Sequence, residues 1–448
     1  MVALHAIGGY DEVGKNMTAL EMGDDVILFD AGLYLPAIVG VQEREKVPTE
    51  SGMRGIGALP DDIYLDKNNL RDKVRAIAVS HAHLDHVGGV QYLAPRYPKA
   101  KVLGTPFTNE VLKSLLADNR LGIPNQIADV QPNKFYTVRG KSGEEYKVEF
   151  VNITHSTIQC AMIAVHTKDG VILYANDYKF DNAPVLGDRP NYKRLKELSK
   201  IGIKALIADC LYAPDERKTP SEKIARGLLE DVLFTTDNHN SGLIVTTFSS
   251  HIARLKSITE FGNKLGRKVV FVGRSLNKYV SAAIKVKSAP FRNDMQLAPY
   301  RNQLEKILRR ASKNKKEYMI VCTGHQGEPG SILDRMSRNK LPYKISQNDH
   351  IVFSSKTIPT PINEASRAEL DVRLRRFKPR IFDDVHVSGH GGREDLRDLL
   401  KLTQPENFIP SHGDYLKLEA GLKLSEEMGY KKDYNAFIFS NGRRLELK

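Results

Sequence analysis

Three histidines and an aspartate fall within six residues in the segment Ser80-His81-Ala82-His83-Leu84-Asp85-His86. Imidazole nitrogens and a carboxylate at this density are the donors that zinc prefers, at ligand distances of roughly 2.0–2.2 Å. A straight strand cannot bring His81, His83 and Asp85 to one ion, because alternate residues lie about 6–7 Å apart. A tight loop solves the geometry by turning the ligands inward and leaving Asp85 and His86 for a second ion. Two ions roughly 3.5–4 Å apart neutralise phosphate oxygens during an in-line displacement and bring the pKa of bound water toward about 7. Two further candidates close apolar runs in the same way, His155 after residues 149–153 and Asp177 after residues 171–175. A lone histidine or aspartate at a strand end is ordinarily a turn residue. Their order after the first cluster is what raises these two.

Such a set of ligands needs several strands ending at one place. Residues 26–29, 74–80, 147–153, 171–175 and 205–208 read as buried strands of four to eight residues. Beyond residue 209 the style changes. Residues 243–248 predict a strand, 252–265 a helix, and Lys268–Val272, Tyr318–Cys322 and 351–354 further strands. That alternation predicts β-α-β units and a parallel sheet. From about Pro361 the chain returns to strand, helix and strand over residues 385–387, 395–402 and 408–409. The expected layout is a β-rich domain over residues 1–209, an inserted α/β domain over 210–360, and completion of the first domain by 361–448.

A chain of 448 residues is too long for one ordinary core, which agrees with two structural units. Hydrophobic residues make up 41 % and mean hydropathy is −0.38. No run approaches the roughly 18–20 apolar residues that span a bilayer, and the N-terminus carries no secretory pattern, so no membrane role is expected. Cys160, Cys210 and Cys322 are far apart and unpaired by any short motif, which suits a reducing cytoplasm. The net charge of +13 is unevenly placed: residues 210–360 hold 26 Lys and Arg against 13 Asp and Glu, and the remainder holds 41 of each sign. A polyanionic partner explains such a block, since each phosphate neutralised by Lys or Arg releases counterions. A solvated basic surface is the plainer explanation of the same charge.

The order His-x-His-x-Asp-His, then His155, then Asp177 resembles the metallo-β-lactamase superfamily. Asp30, in Leu28-Phe29-Asp30-Ala31-Gly32, matches that superfamily's first motif, where the aspartate supports a ligand. No histidine lies between Asp177 and His239. Asp209, His390 and His412 each follow an apolar run, and they look like motifs A, B and C of the β-CASP nucleases. Histidine at the third motif is the RNA-type signature there. The wording of Gly9 to Asn16, Phe248-Ser249-Ser250-His251, Gly273-Arg274-Ser275, Thr323-Gly324-His325-Gln326-Gly327-Glu328-Pro329, His386-Val387-Ser388-Gly389-His390 and Ser411-His412-Gly413-Asp414 resembles the ribonuclease J family over essentially the whole chain. The chain stops soon after the third motif and so resembles the short, archaeal form; the bacterial C-terminal extension that supports association is missing from the pattern, which leaves a homodimer open.

The resemblance implies an α/β fold, an αββα sandwich interrupted by an inserted α/β domain. It implies a zinc-dependent ribonuclease with two zinc ions per chain, replaceable by manganese or magnesium in activity. His81, His83 and His155 would hold one ion, Asp85, His86 and His412 the other, with Asp177 between them. His390 would contact the scissile phosphate and protonate the leaving oxygen, and Asp209 would orient a ligand histidine, His412. Ser249 and Ser250, together with His386, Ser388, Gly389 and His390, would receive a 5′-monophosphate of single-stranded RNA. Serines before a helix ordinarily cap it, so a capping role stands beside that one. A pocket one nucleotide from the metals implies a 5′-to-3′ exonuclease. The rival is an endoribonuclease related to the pre-mRNA 3′-end cleavage factor, which shares every metal motif. The basic stretch 303–316 would be a helix along the RNA channel or a solvated face.

Overall fold

The computed structural model describes residues 2–39 and 49–447. Three sheets organise the chain. The first runs, edge to edge, through Arg444–Leu447, Val2–Gly8, Met17–Met22, Asp25–Phe29, Val74–Val79, Lys101–Gly104 and Ile127–Asp129. The second runs through Asn407–Ser411, Ile203–Asp209, Gly170–Ala175, Ala161–Thr167, Glu145–Asn152 and Lys134–Arg139. The two lie face to face. Ile27 and Phe29 of the first pack with Phe150, Ile163, Ile172 and Ile207 of the second in one core, whereas Val26 and Leu28 point to the other side, toward Phe107 and Val111 of the helix Pro106–Asn119. On the far side of the second sheet, Leu173 and Leu206 meet Leu195, Leu399 and Leu418 of three helices. Strands buried on both faces read as unbroken apolar runs, which is why these were legible without alternation. Each such fully buried aliphatic side chain contributes about 1.5–3 kcal/mol. The αββα sandwich is present.

The third sheet is the insert. Its order is Gln296–Ala298, Lys268–Val272, Tyr318–Cys322, Leu243–Thr246, His350–Phe353 and Arg380–Phe382, and every pairing is parallel. All six strands therefore end on one edge, and the crevice outside that edge is where open α/β sheets receive ligands. The basic stretch forms the helix Arg301–Lys313, which buries Leu304, Ile307, Leu308 and Ala311 and turns its cations outward.

Two expectations are corrected here. The insert does not end at residue 360. Arg380–Phe382 pairs with His350–Phe353, and Leu370 and Leu374 of the helix Pro361–Arg375 share the core of the third sheet. Pro361, where the last segment was expected to begin, opens that helix, and the Thr360 side chain accepts from the Asn363 amide. Residues 385–387 are no strand. Val385 and Val387 are buried in an irregular loop, so their apolar pattern reports burial rather than pairing.

What holds that loop is Arg254, a guanidinium with no exposed surface. It donates to Glu222 at 2.6 and 2.8 Å, to the Ser354 carbonyl at 2.8 Å and to the Val385 carbonyl at 3.3 Å. Burial alone would raise the Glu222 carboxyl, but His251 and Arg254 beside it hold it well below the usual carboxylate range. Arg254→Leu strands that charge, and urea unfolding should show a loss of about 3–5 kcal/mol.

Candidate active site

The first domain presents its candidate ligands, and the carboxylate behind one of them, on strand ends that turn sharply. Asp30 follows Asp25–Phe29 with φ 58°, Asp177 follows Gly170–Ala175 with φ 57°, and His412 follows Asn407–Ser411 with φ 60°. Aspartate and histidine are among the few residues that adopt this left-handed region, and such backbone clusters at functional sites. The Asp30 carboxylate accepts from the Ser80 amide (2.7 Å), the Ser80 hydroxyl (2.9 Å), the Tyr174 hydroxyl (2.9 Å) and His86 Nδ1 (2.7 Å). It thereby fixes the His86 proton on Nδ1, the usual service of a carboxylate behind a metal ligand, and turns Nε2 inward, where the Asn16 amide nitrogen stands 3.1 Å away. Gly32 is obligatory, since a Cβ there would stand 1.7 Å from the Asp85 carbonyl oxygen.

Two ligand groups share Asp177, and a third candidate set, Asp209, His390 and His412, lies beside them. In one, His83 Nδ1 lies 3.1 Å from His81 Nε2 and 3.0 Å from His155 Nε2, and Asp177 Oδ2 is 3.4 Å from His81 and 3.5 Å from His155. Each ring donates its other N–H outward: His81 to the Ser80 hydroxyl at 2.9 Å, His83 to the Ser250 hydroxyl at 3.0 Å, His155 to the Gly389 carbonyl at 2.7 Å. Three lone pairs then face one another. Burial first, and then neighbouring imidazoles, push His83 and His155 well below the ordinary histidine value, so a proton does not settle among them. In the other group, His86 Nε2 lies 3.3 Å from Asp177 Oδ2 and 3.6 Å from Asp85, and His412 Nε2 lies 3.8 Å from Asp177 Oδ1 and 3.9 Å from Asp85. Asp177 Oδ1 is buried with no hydrogen-bond partner among the described residues. Converging nitrogen lone pairs and an unpartnered buried carboxylate oxygen are what a divalent cation would satisfy, so the donor set fits a metal centre. Asp177 belongs to both groups.

The expected service of Asp209 to His412 is corrected. Asp209 Oδ2 lies 2.7 Å from His390 Nδ1, and His412 Nδ1 instead faces Asn16 Oδ1 at 3.0 Å. His390 Nε2 then points to Asp177 Oδ2 at 3.8 Å, and its ring stacks on His412. Burial would lower this imidazole, but the carboxylates of Asp177 and Asp209 outweigh burial and hold it up at about 9.

Of the residues expected to bind phosphate, Ser250, Gly389 and His390 stand against the ligand groups. His251, not either serine, caps the helix Ile252–Lys264 through Arg254 N, so Ser249 and Ser250 are free of that duty. Ser250 instead contacts His83. The Ser388 hydroxyl accepts from His390 N at 3.0 Å, and Gly389 has no room for a Cβ against Ser156. His386 lies 3.5 Å from Arg254 Nη1. A cavity of about 340 Å³, lined in part by Tyr212, Arg217, Lys356, His386 and Ser388, adjoins this loop. Asn16, Ser80, Tyr174 and Lys179, whose ammonium donates to the Ser388 carbonyl at 3.1 Å, escaped the sequence reading as site residues. Asn16 had one signal: it closes a turn with glycines at 8, 9 and 14 directly after the first strand. A Cβ on Gly9 would meet the Asn16 amide oxygen at 2.4 Å.

Comparison with known proteins agrees with this architecture. The metallo-beta-lactamase superfamily model matches residues 10–237, the beta-CASP domain of ribonuclease J matches 240–368, and a Zn-dependent metallo-hydrolase RNA specificity domain matches 375–438. The ribonuclease J of Pyrococcus abyssi is 40 % identical, covering 100 % of this chain and 97 % of that one. That of Methanocaldococcus jannaschii is also 40 % identical, over 99 % and 98 %. Ribonuclease J2 of Bacillus subtilis is 29 % identical, over 100 % of this chain and 75 % of its own. A solved protein of unknown function from Enterococcus faecalis shares the fold, with a TM-score of 0.66 at 17 % identity over 99 % of both chains. Among the described residues no helix is long and apolar enough to cross a membrane. The chain belongs to the ribonuclease J family, metal-dependent nucleic-acid hydrolases in which a metallo-β-lactamase domain carries an inserted β-CASP domain.

Proposed function

We propose that this chain is a zinc-dependent 5′-to-3′ exoribonuclease acting on single-stranded RNA with a 5′-monophosphate, in the cytoplasm. The observation that carries the reading is the contact of Ser250 from the insert and of Gly389 from the 386–390 loop with the candidate ligand histidines His83 and His155, beside a cavity of about 340 Å³. A terminal phosphate held there would set one nucleotide across the ligands, which favours cutting one residue at a time. When bound, two divalent ions supply positive charge to the phosphate oxygens and acidify water. The protein's own groups do the rest. Asp177 spans both ligand groups, and Asp30 and Asn16 fix the tautomers of His86 and His412. Asp209 holds His390 with Nε2 toward the site, where its proton can pass to the leaving ribose oxygen. Asp85, a ligand, also adds negative charge that favours that imidazolium. The surplus of 13 positive charges in the central block would attract the RNA backbone.

The test is a time course on single-stranded RNA with a 3′ fluorophore, in 5′-monophosphate and 5′-hydroxyl versions, with EDTA controls. The reading expects a ladder of ever-shorter labelled fragments, formed faster from the monophosphate and absent with EDTA. Discrete internal cuts indifferent to the 5′ group would replace it with the endonuclease reading.

A further inference from the structure

The loop that carries the ligands is gripped from outside its own domain. Ser250 lies beyond the C-terminal end of Leu243–Thr246 in the insert, and His83 lies beyond the end of Val74–Val79, yet the Ser250 hydroxyl accepts from His83 Nε2 at 3.0 Å. Ser250 is only 6 % exposed, so water does not readily replace it. One residue earlier, the Ala82 carbonyl accepts from the Tyr279 hydroxyl at 3.2 Å. Tyr279 belongs to the helix Arg274–Lys285, which packs on Pro106–Asn119 of the first domain through Phe107 and through the pairs Lys278–Asp118 (2.6 Å) and Lys285–Glu110 (3.1 Å). Two adjacent residues of the ligand loop are therefore tied to the insert, one by its carbonyl and one by the ring that must present Nδ1.

We infer that Ser250 is a positioning residue for the metal site, so that ion binding at His81, His83 and His155 and docking of the inserted domain are linked. The inference rests on the assignment of His83 as a ligand and goes beyond it. A partner on the second nitrogen of a ligand imidazole fixes its tautomer and ring orientation, and here that partner sits on the other domain. Linkage is reciprocal: an ion that needs this ring orientation favours the docked insert, and the docked insert favours the ion by the same factor. Ser250 would then serve the metal site whether or not it also touches phosphate.

Zinc affinities of wild type and Ser250→Ala, measured by competition with a chromophoric chelator, test this together with amide hydrogen exchange over 106–119 and 274–285, with and without zinc. The expected result is that one of two ions weakens about 10–100-fold, the range for loss of a partner behind a ligand. Zinc should also protect both helices in the wild type and lose that effect in the variant. Wild-type affinity for both ions in Ser250→Ala, with zinc-dependent protection unchanged, would overturn the inference. A wild-type chain that binds no ion would overturn the ligand assignment itself, which is a separate failure.

Discussion

Asp177→Asn is expected to lower kcat/KM for RNA on the order of 10³-fold or more and to reduce bound metal below the wild-type level. Asp177 is the one residue shared by both ligand groups, with Oδ2 at 3.3–3.5 Å from His81, His86 and His155 and Oδ1 at 3.8 Å from His412. The amide keeps the shape but removes the negative charge between two cations and puts an NH₂ where one oxygen faces imidazole lone pairs. Metal charge at a transferring phosphoryl group contributes several kcal/mol, and each 1.4 kcal/mol is tenfold in rate. Steady-state kinetics with elemental analysis of the purified variant check both halves. A variant with full metal content and wild-type rate would show that Asp177 is not a ligand.

His390→Ala is expected to cost about 10²- to 10⁴-fold in kcat, the ordinary range for a positioned acid. Asp209→Asn should cost less but move the pH profile. The sign follows from charge. Asp177 and Asp209 hold the His390 imidazolium up at about 9 against burial, and two bound dications lower it again, so the alkaline limb of kcat should fall below 9. Removing the Asp209 charge destabilises the imidazolium, and the limb shifts to lower pH. A profile of kcat against pH for wild type and Asp209→Asn reads the shift directly. An unmoved limb would mean that His390 does not carry the proton in question.

Much of this site was legible because its ligands sit at the ends of strands buried on both faces. An apolar run followed at once by His81, Asp177 or Asp209 announces both the strand and the edge on which it ends. What the sequence hid was pairing through space. Asp209 and His390 are 181 positions apart, and Asn16 and His412 are 396 apart, so nothing local says which carboxylate or amide orients which ring. Ser250 illustrates the same limit. Its place before a helix suggests capping or phosphate binding, but His251 takes the cap and Ser250 reaches a ligand of the other domain. The junction placed at Pro361 failed in the same way. Nothing local says to which sheet the helix opened by Pro361 and the strand after it belong, and only the pairing of Arg380–Phe382 with His350–Phe353 shows it.

Anomalous diffraction from crystals grown with zinc, collected on both sides of the zinc edge, tests whether two ions sit on either side of Asp177. Two peaks are expected roughly 3.5–4 Å apart, one among His81, His83 and His155 and the other among Asp85, His86 and His412, with Asp177 touching both. A single peak, or one held by Asp209, His390 and His412, would contradict that arrangement.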